Sequence, residues 1–160
     1  VFLTQEHRFE QHGRDAIVER TRAVFLGAAT GAAAAAPAQP RAFERSREWP
    51  MDEATLFRFS ALTFNTHRIH YDLRYATQVG GYPGLVVHGP LQALLLAETF
   101  REWHPRHVVR SIEFRARASL YCGAPVTVCA AAPEGERHAL WTRTPDGGTA
   151  MDCTITATAG

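Results

Sequence analysis

The sequence predicts an α+β domain in which an antiparallel sheet packs against one buried helix. Two patterns carry this prediction. The segment at residues 89–103 has apolar side chains over most of a helix surface, which is typical of a buried helix. One strand-like run precedes this segment and four follow it, and the first of the four alternates between apolar and polar residues. One strand, one buried helix and four strands together indicate an α+β arrangement.

The N-terminal residues predict a two-stranded hairpin. Residues 1–9 and 16–25 have strand-like patterns, and the Gln-His-Gly-Arg sequence at 11–14 predicts the turn between them. Two antiparallel strands are barely stable alone in water. The hairpin therefore needs a sheet that the rest of the chain does not obviously supply.

Residues 27–50 predict a linker between the hairpin and the main domain. Its first part, up to residue 40, is rich in Ala with some Gly and Pro, and its second part mixes Arg, Glu and Pro. Such a composition is typical of a connecting segment. We therefore expect the main domain to occupy residues 51–160.

The main domain begins with a predicted strand at 56–64 and a partly helical segment at 66–82. The buried helix has Pro90 in its first turn, where the missing N–H costs little. In the next strand Ile112 and Phe114 alternate with charged residues, which predicts a half-buried strand. The strands after the helix are expected at 108–120, 125–132, 137–143 and 149–158, with a Pro-Asp-Gly-Gly hairpin turn at 145–148.

The composition is that of a soluble globular protein, with 46% hydrophobic and 21% charged residues. The net charge of +1 gives no reason to expect a nucleic-acid partner. No apolar stretch is long enough to predict a membrane span. The three cysteines form no C-x-x-C pair and no disulfide framework, so we expect a reducing compartment, the cytoplasm.

Side chains that can exchange protons or hydrogen bonds are concentrated just before the buried helix. Asn65, His67 and His70 lie in one short stretch, and His88 and Gly89 open the helix. An imidazole can act as a general base or acid. A helix N-terminus offers free backbone N–H groups to a developing oxyanion. The combination predicts a reaction that moves a proton and builds negative charge on an oxygen.

These two motifs resemble those of the MaoC-like hydratase/dehydratase group, which has the hot-dog fold. The motifs are Asn65-x-His67-x-x-His70-Tyr-Asp and Gly-Tyr-Pro-Gly-Leu-Val-Val-His88-Gly-Pro. Most of that group reads Asp-x-Asn-Pro-x-His at the first motif. Here Asn65 stands at the Asp position and Arg68 at the Pro position. This variant resembles the branch that contains the 3-methylfumaryl-CoA (mesaconyl-C4-CoA) hydratases and the fungal mitochondrial hydroxyacyl-thioester dehydratases.

The resemblance implies a curved antiparallel sheet wrapped around a central helix, and a hydro-lyase site. It implies that His70 activates the water that adds to an α,β-enoyl-CoA thioester, and that the Gly89 N–H binds the thioester carbonyl. Asn65 can orient the water but cannot accept its proton. The expected reaction is this hydration or, in the reverse direction, dehydration of the 3-hydroxyacyl thioester, and the dicarboxylic mesaconyl-C4-CoA type is the preferred substrate class. Substrate-binding contacts are expected from Arg68, Tyr71, Val87, His88 and Pro90.

The resemblance also bears on partners and cofactors. Many chains of this branch carry two tandem hot-dog units, so residues 1–26 are expected to be the terminal strands of a first unit; an N-terminal hairpin extension of one domain is the alternative. The main domain is expected to form a homodimer or to pair with a second hot-dog unit. No organic cofactor or metal is expected, because CoA is part of the acyl-CoA substrate.

Three other functions remain open at this point. A hot-dog acyl-CoA thioesterase usually relies on a carboxylate near the helix, and the only acid within the motifs is Asp72. A non-catalytic half would complete a partner unit and would have a blocked or absent pocket at His70. A zinc site could use His67, His70 and His88, but no zinc-binding spacing recurs in the chain.

Overall fold

The computed structural model describes residues 1–24 and 40–160. The chain divides into two compact units, Val1–Ala33 and Ala34–Gly160. In the described residues, no helix is both long and apolar enough to cross a membrane.

The first unit contains the predicted hairpin. Strand β1 (Phe2–Gln11) pairs antiparallel with β2 (Arg14–Val24), and the two form a sheet of their own. His12 and Gly13 at the turn have φ values of 53° and 73°, as a two-residue hairpin turn of type I′ requires at both positions. The β1 side chains are all exposed. The assignment of this hairpin to a first hot-dog unit stays a prediction.

The second unit contains a five-stranded antiparallel sheet. Its spatial order is β3-β5-β6-β7-β4, so β3 and β4 are the edge strands. The hairpin turn between β6 and β7 is closed by a 2.9 Å bond from Thr144 N to Gly148 O. The strands are β3 (Arg45–Trp49), β4 (His107–Ala116), β5 (Val126–Ala130), β6 (Arg137–Arg143) and β7 (Thr149–Ala159).

The long helix α3 (Gly89–Trp103) lies across this sheet and contacts β4, β5, β6 and β7. Leu96 and Phe100 are buried in one core cluster with Val128, Leu140 and Ile155 of the strands. The predicted helix bounds are confirmed, and so is the hot-dog arrangement of a sheet packed on a central helix. Burial is not complete around the helix, because Leu94 is 57% exposed.

Two predictions about the start of the main domain are wrong. Residues 56–64 form no strand: they lie mostly in helix α1 (Glu53–Leu62), which begins where the Asp52 side chain accepts a 2.7 Å hydrogen bond from Thr55 N. An N-cap of this kind starts a helix. The first strand of the main sheet is instead β3, inside the predicted linker, where it pairs with β5. The part of the linker at 25–39 lies outside the described residues.

Strand β4 also differs from the expectation of a half-buried strand. Its side chains are exposed on both faces, with Ile112 at 40% and Phe114 at 55% exposure. β4 is an edge strand with only one neighbouring strand beside it, and its burial pattern shows that the described residues cover little of either face. An exposed edge strand that carries alternating apolar residues offers unpaired backbone groups and apolar surface to another chain.

Between α1 and α3 lie a short 3₁₀ turn (Arg68–His70) and helix α2 (Leu73–Gln78). The Asp72 side chain caps α2 by accepting a 2.9 Å hydrogen bond from Tyr75 N. This confirms the partly helical segment expected at 66–82. The segment positions the polar residues of the first motif.

Candidate active site

Three backbone hydrogen bonds bring the two sequence motifs together. Asn65 N donates to Ser60 O at 2.9 Å, which folds the first motif back on the end of α1. Val86 N donates to Ile69 O at 3.0 Å, so the chain that leads into α3 lies against the 3₁₀ turn. Val87 N donates to Leu120 O at 2.8 Å. His70 of the first motif and His88 of the second are thereby placed side by side.

The hydrogen bond made by His70 determines which ring nitrogen is basic. Its Nδ1 lies 2.7 Å from Val86 O. A carbonyl oxygen only accepts hydrogen bonds, so Nδ1 carries the hydrogen and Nε2 carries the lone pair. The ring is buried, and this burial lowers the pKa of His70. The hydrogen bond to the Val86 carbonyl raises the pKa in part, and His67 lowers it further. His70 is therefore set up as a neutral base at neutral pH.

His88 packs face to face against His70. The ring centroids are 3.7 Å apart and the planes are inclined by 18°. The His88 Nε2 lies 2.8 Å from the Ser60 hydroxyl oxygen. The Phe59 and His88 rings pack edge to face, with 4.8 Å between their centroids. His88 is fully buried, and burial, with a smaller effect of His70, lowers its pKa to about 4. His88 thus provides a neutral, fixed ring that holds the plane of His70.

Asn65 is half-buried beside a cavity at the end of α1. Its Oδ1 accepts a 3.0 Å hydrogen bond from His67 N, which fixes the side chain. The cavity has a volume of about 230 Å³. It is lined by Phe57, Ser60, Ala61, Phe64, Asn65, Thr66 and Tyr71. Two predicted site residues, Asn65 and Tyr71, therefore share one cavity wall.

Gly89 is the first residue of α3, and Pro90 follows it in the first turn. The His88 side chain caps none of the first-turn N–H groups. Uncapped N–H groups at a helix N-terminus can bind an anion. A Cβ at Gly89 would contact only the Met151 methyl carbon, at 3.9 Å. Internal packing therefore does not demand glycine at this position, whereas close approach of a ligand to the backbone would.

The remaining predicted substrate-binding residues are already engaged or covered. Arg68 forms a 2.7 Å ion pair with Asp72 and stacks over the Tyr75 ring at 4.3 Å. Tyr71 donates its hydroxyl to Thr66 O at 2.8 Å. The Val87 and His88 side chains are buried. A substrate contact by Val87 or His88 would therefore have to use main-chain atoms, and all these assignments stay predictions.

Sequence reasoning missed Ser60, Phe59 and the Val86 carbonyl, which hold the two imidazoles. Ser60 lies one helical turn after Leu56, and both are buried; this spacing was the available signal that α1 is a helix with one inward face. Among the described residues, no group of three or more His, Cys, Asp or Glu is arranged to hold a metal ion.

Comparisons with known sequences agree with the motifs. A family model described as hydroxyacyl-thioester dehydratase type 2 matches residues 1–122. The mesaconyl-C(4)-CoA hydratase of Chloroflexus aurantiacus is 42% identical over 156 residues, which cover 96% of this chain and 55% of that protein. The chain therefore spans about half the length of this curated relative.

Solved structures show the same fold. A MaoC-like dehydratase from Phytophthora capsici superposes with a TM-score of 0.70 at 13% identity, covering 96% of this chain and 55% of its own. The ChsH1-ChsH2 complex from Mycobacterium tuberculosis superposes with a TM-score of 0.62 at 17% identity, covering 74% of this chain and 96% of the matched chain. These likenesses confirm the MaoC-like hot-dog fold.

Proposed function

The chain belongs to the hydroxyacyl-thioester dehydratase type 2 family, and on that premise we propose that it adds water to an α,β-enoyl-CoA thioester or removes water from the 3-hydroxyacyl thioester. The observation that carries the proposal is the orientation of His70. Its Nδ1 hydrogen bond to Val86 O leaves Nε2 as the basic nitrogen, and its stacking on His88 fixes the ring. A base held in this way, next to a helix N-terminus, suits proton abstraction from water.

The reaction uses two ends of the site. The thioester carbonyl oxygen accepts a hydrogen bond from the first turn of α3 at Gly89, which withdraws electrons and makes the β-carbon electrophilic. A water molecule oriented by Asn65 gives its proton to Nε2 of His70 while its oxygen bonds to the β-carbon. Nε2 of His70 then gives this proton to the α-carbon, which completes the hydration and returns the imidazole to its neutral form. Dehydration is the same sequence in reverse.

The curated relative supports a proposal for the substrate class. That protein is named a mesaconyl-C(4)-CoA hydratase, and it is 42% identical to this chain over a match that covers 96% of this chain and 55% of that protein. We therefore propose mesaconyl-C4-CoA, a dicarboxylic enoyl thioester, as the preferred substrate class.

A thioesterase is the second candidate, and one contact favours it. Ser60 Oγ and His88 Nε2 are 2.8 Å apart, which is the geometry of a nucleophile and its base. Two properties weigh against it. The pKa of His88 is lowered to about 4, so its nitrogen is a weak base at neutral pH. Its Nδ1 has no hydrogen-bond partner in the described residues, so no carboxylate there orients the ring.

Pairing with another hot-dog unit is part of the proposal. One structural neighbour is a complex of two proteins, and the exposed apolar residues of β4 offer an edge to a second unit. We propose either a homodimer or pairing with a second hot-dog unit of a longer chain. All three cysteines are free thiols, which fits the proposed cytoplasmic location.

The test measures two signals on the same sample. Crotonyl-CoA and mesaconyl-C4-CoA are offered separately, and both the loss of enoyl absorbance and the release of free CoA thiol are followed. Hydration predicts loss of absorbance without thiol, and faster loss with mesaconyl-C4-CoA. Thiol release without loss of the double bond would instead identify a thioesterase. The absence of both signals would support the non-catalytic alternative.

A further inference from the structure

Phe64, at the end of α1, has a backbone conformation that disfavours its own side chain. Its φ of 53° lies in the left-handed region, which glycine and asparagine adopt far more readily than bulky residues. Phe64 N donates to Ala61 O and Asn65 N to Ser60 O, so the residue closes the C-terminal turn of the helix. Glycine is the usual residue at such a position. The turn alone therefore gives no reason for a phenylalanine.

Packing within the unit gives no reason either. The Phe64 side chain is 92% exposed, so its ring adds almost nothing to the buried core. Glycine or asparagine would serve the turn at least as well without presenting an aromatic ring to water. A residue that is unfavourable in its turn and unused in the core points to a contact made outside the chain.

The cavity beside Phe64 identifies where that contact is made. Phe64 shares the 230 Å³ cavity with Phe57, which is 61% exposed, and with Tyr71 and Asn65. None of the seven lining residues carries a charge. A phosphate-bearing part of a ligand would require cationic partners, whereas apolar carbons suit aromatic walls.

We propose that Phe64 and Phe57 form an aromatic subsite that contacts the apolar carbons of the substrate's acyl group, such as the methyl branch of a 3-methylfumaryl thioester, and not its free carboxylate. The subsite rests on the proposed function, because Asn65 there orients the water that attacks the β-carbon. Phe64 directly precedes Asn65 and lines the same cavity. On the proposed role of Asn65, the ring would face the reacting acyl group rather than the nucleotide end of CoA.

The binding experiment uses butyryl-CoA, a saturated thioester that cannot be hydrated, and free CoA as the ligand without an acyl group. Calorimetric dissociation constants are measured for the wild type, Phe64→Asn and Phe57→Ala. Asparagine tolerates the left-handed conformation, so Phe64→Asn removes the ring while keeping the turn. The matched control is Leu62→Ala, since Leu62 is 79% exposed on the same helix but does not line the cavity.

The subsite predicts that both aromatic variants weaken butyryl-CoA binding about tenfold, a loss typical of removing apolar contacts to a ligand. Free CoA should bind all variants as it binds the wild type. The thermal midpoint of Phe64→Asn should equal or exceed that of the wild type, because the strained turn is relieved. Leu62→Ala should bind both ligands normally.

Three results would overturn the inference. The first is unchanged butyryl-CoA binding in Phe64→Asn, or no binding of butyryl-CoA by the wild type. The second is an equal loss for free CoA, which would place the ring at the nucleotide end. The third is dissociation of an oligomer by Phe64→Asn with unchanged binding per subunit, which would make the ring a contact between copies.

Crotonyl-CoA hydration is measured separately, so a selective acyl contact without hydration would refute the proposed function and leave the subsite standing.

Discussion

The two ends of α3 both carry clustered histidines, but the clusters are built differently. At the N-terminal end, His70 and His88 are stacked at 3.7 Å, and each ring has a nitrogen within 2.8 Å of a polar partner. At the C-terminal end, the rings of His104, His107 and His138 lie 4.7 to 5.6 Å apart, inclined to one another. All three also contact the ring of Phe100.

The two clusters differ in hydrogen bonding, and this difference is what places the proposed base at the N-terminal end of α3. His138 is buried, and its Nε2 has no partner among the described residues. No hydrogen bond at Nε2 therefore sets the orientation of the His138 ring within the described residues. At the other end, Val86 O determines the tautomer of His70. The helix adds a second asymmetry, because its N-terminus stabilises negative charge and its C-terminus does not.

Replacing a histidine at each end should separate the two clusters most clearly. His70→Ala removes the proposed base and should lower the hydration rate by on the order of 100-fold or more. His107→Ala removes a ring of the C-terminal cluster and should leave the rate near that of the wild type. Rates are compared at matched folded fractions, checked by circular dichroism. Equal losses in both variants would mean that the N-terminal cluster has no special part in the reaction.

Gly89→Val tests the oxyanion side of the same end. A branched side chain would keep the thioester oxygen away from a donor worth ~3 kcal/mol in comparable sites, so the rate should fall by roughly 100-fold. The free energy of unfolding should change little, because a Cβ there meets only Met151 Cε at 3.9 Å. Gly89→Ala should give an intermediate rate. Unfolding of the valine variant at ambient temperature would instead identify Gly89 as a packing residue.

The elements of the main domain differ in how well the sequence predicts them. The helix and the strands β4 to β7 were predictable because their apolar periodicity is strong and their turns carry Gly and Pro. Helix α1 was not, since Leu56, Arg58 and Ser60 alternate with Phe57 and Phe59 as in a strand. There the Asp52 cap and the pairing of other strands decided the structure.

Sequence reasoning missed strand β3, and it missed the residues that hold the two imidazoles, for other reasons. The β3 sequence Arg-Ser-Arg-Glu-Trp has almost no apolar alternation, because an edge strand needs little of it. His70 and Gly89 were recognisable from their motifs. Ser60 and Val86 were not, because they contact His88 and His70 across separations of 28 and 16 residues. Such contacts exist only after the two motifs have been brought together.

Acid should destabilise the fold through His88. Its pKa in the folded state is about 4 against the usual 6.5, so the unfolded chain binds a proton first as the pH falls. The stability from neutral His88 is therefore complete above pH 6.5 and is lost between 6.5 and 4, by about 3 kcal/mol in total. Urea unfolding of the wild type and His88→Gln, at neutral pH and at about pH 4.5, measures this difference. An identical acid dependence in both proteins would contradict it.

The smallest expected effect is a shift in the pH–rate profile. Burial lowers the pKa of His70 from its usual 6.5, so the rate should rise with pH through one ionisation that lies below this value. This refines the range of ~6 to 7 that an unperturbed imidazole would give. Asn65 adds no second limb, because an amide does not ionise.

Asn65→Asp would place a carboxylate in the first motif, and its negative charge should raise the pKa of His70 and move the limb to higher pH. His67→Gln should move the limb in the same direction but less far, since His67 makes only a minor contribution to the lowered pKa of His70. The profiles are measured with saturating and with limiting enoyl-CoA. A limb that stays in place in both variants would mean that the ionisation belongs to a group other than His70.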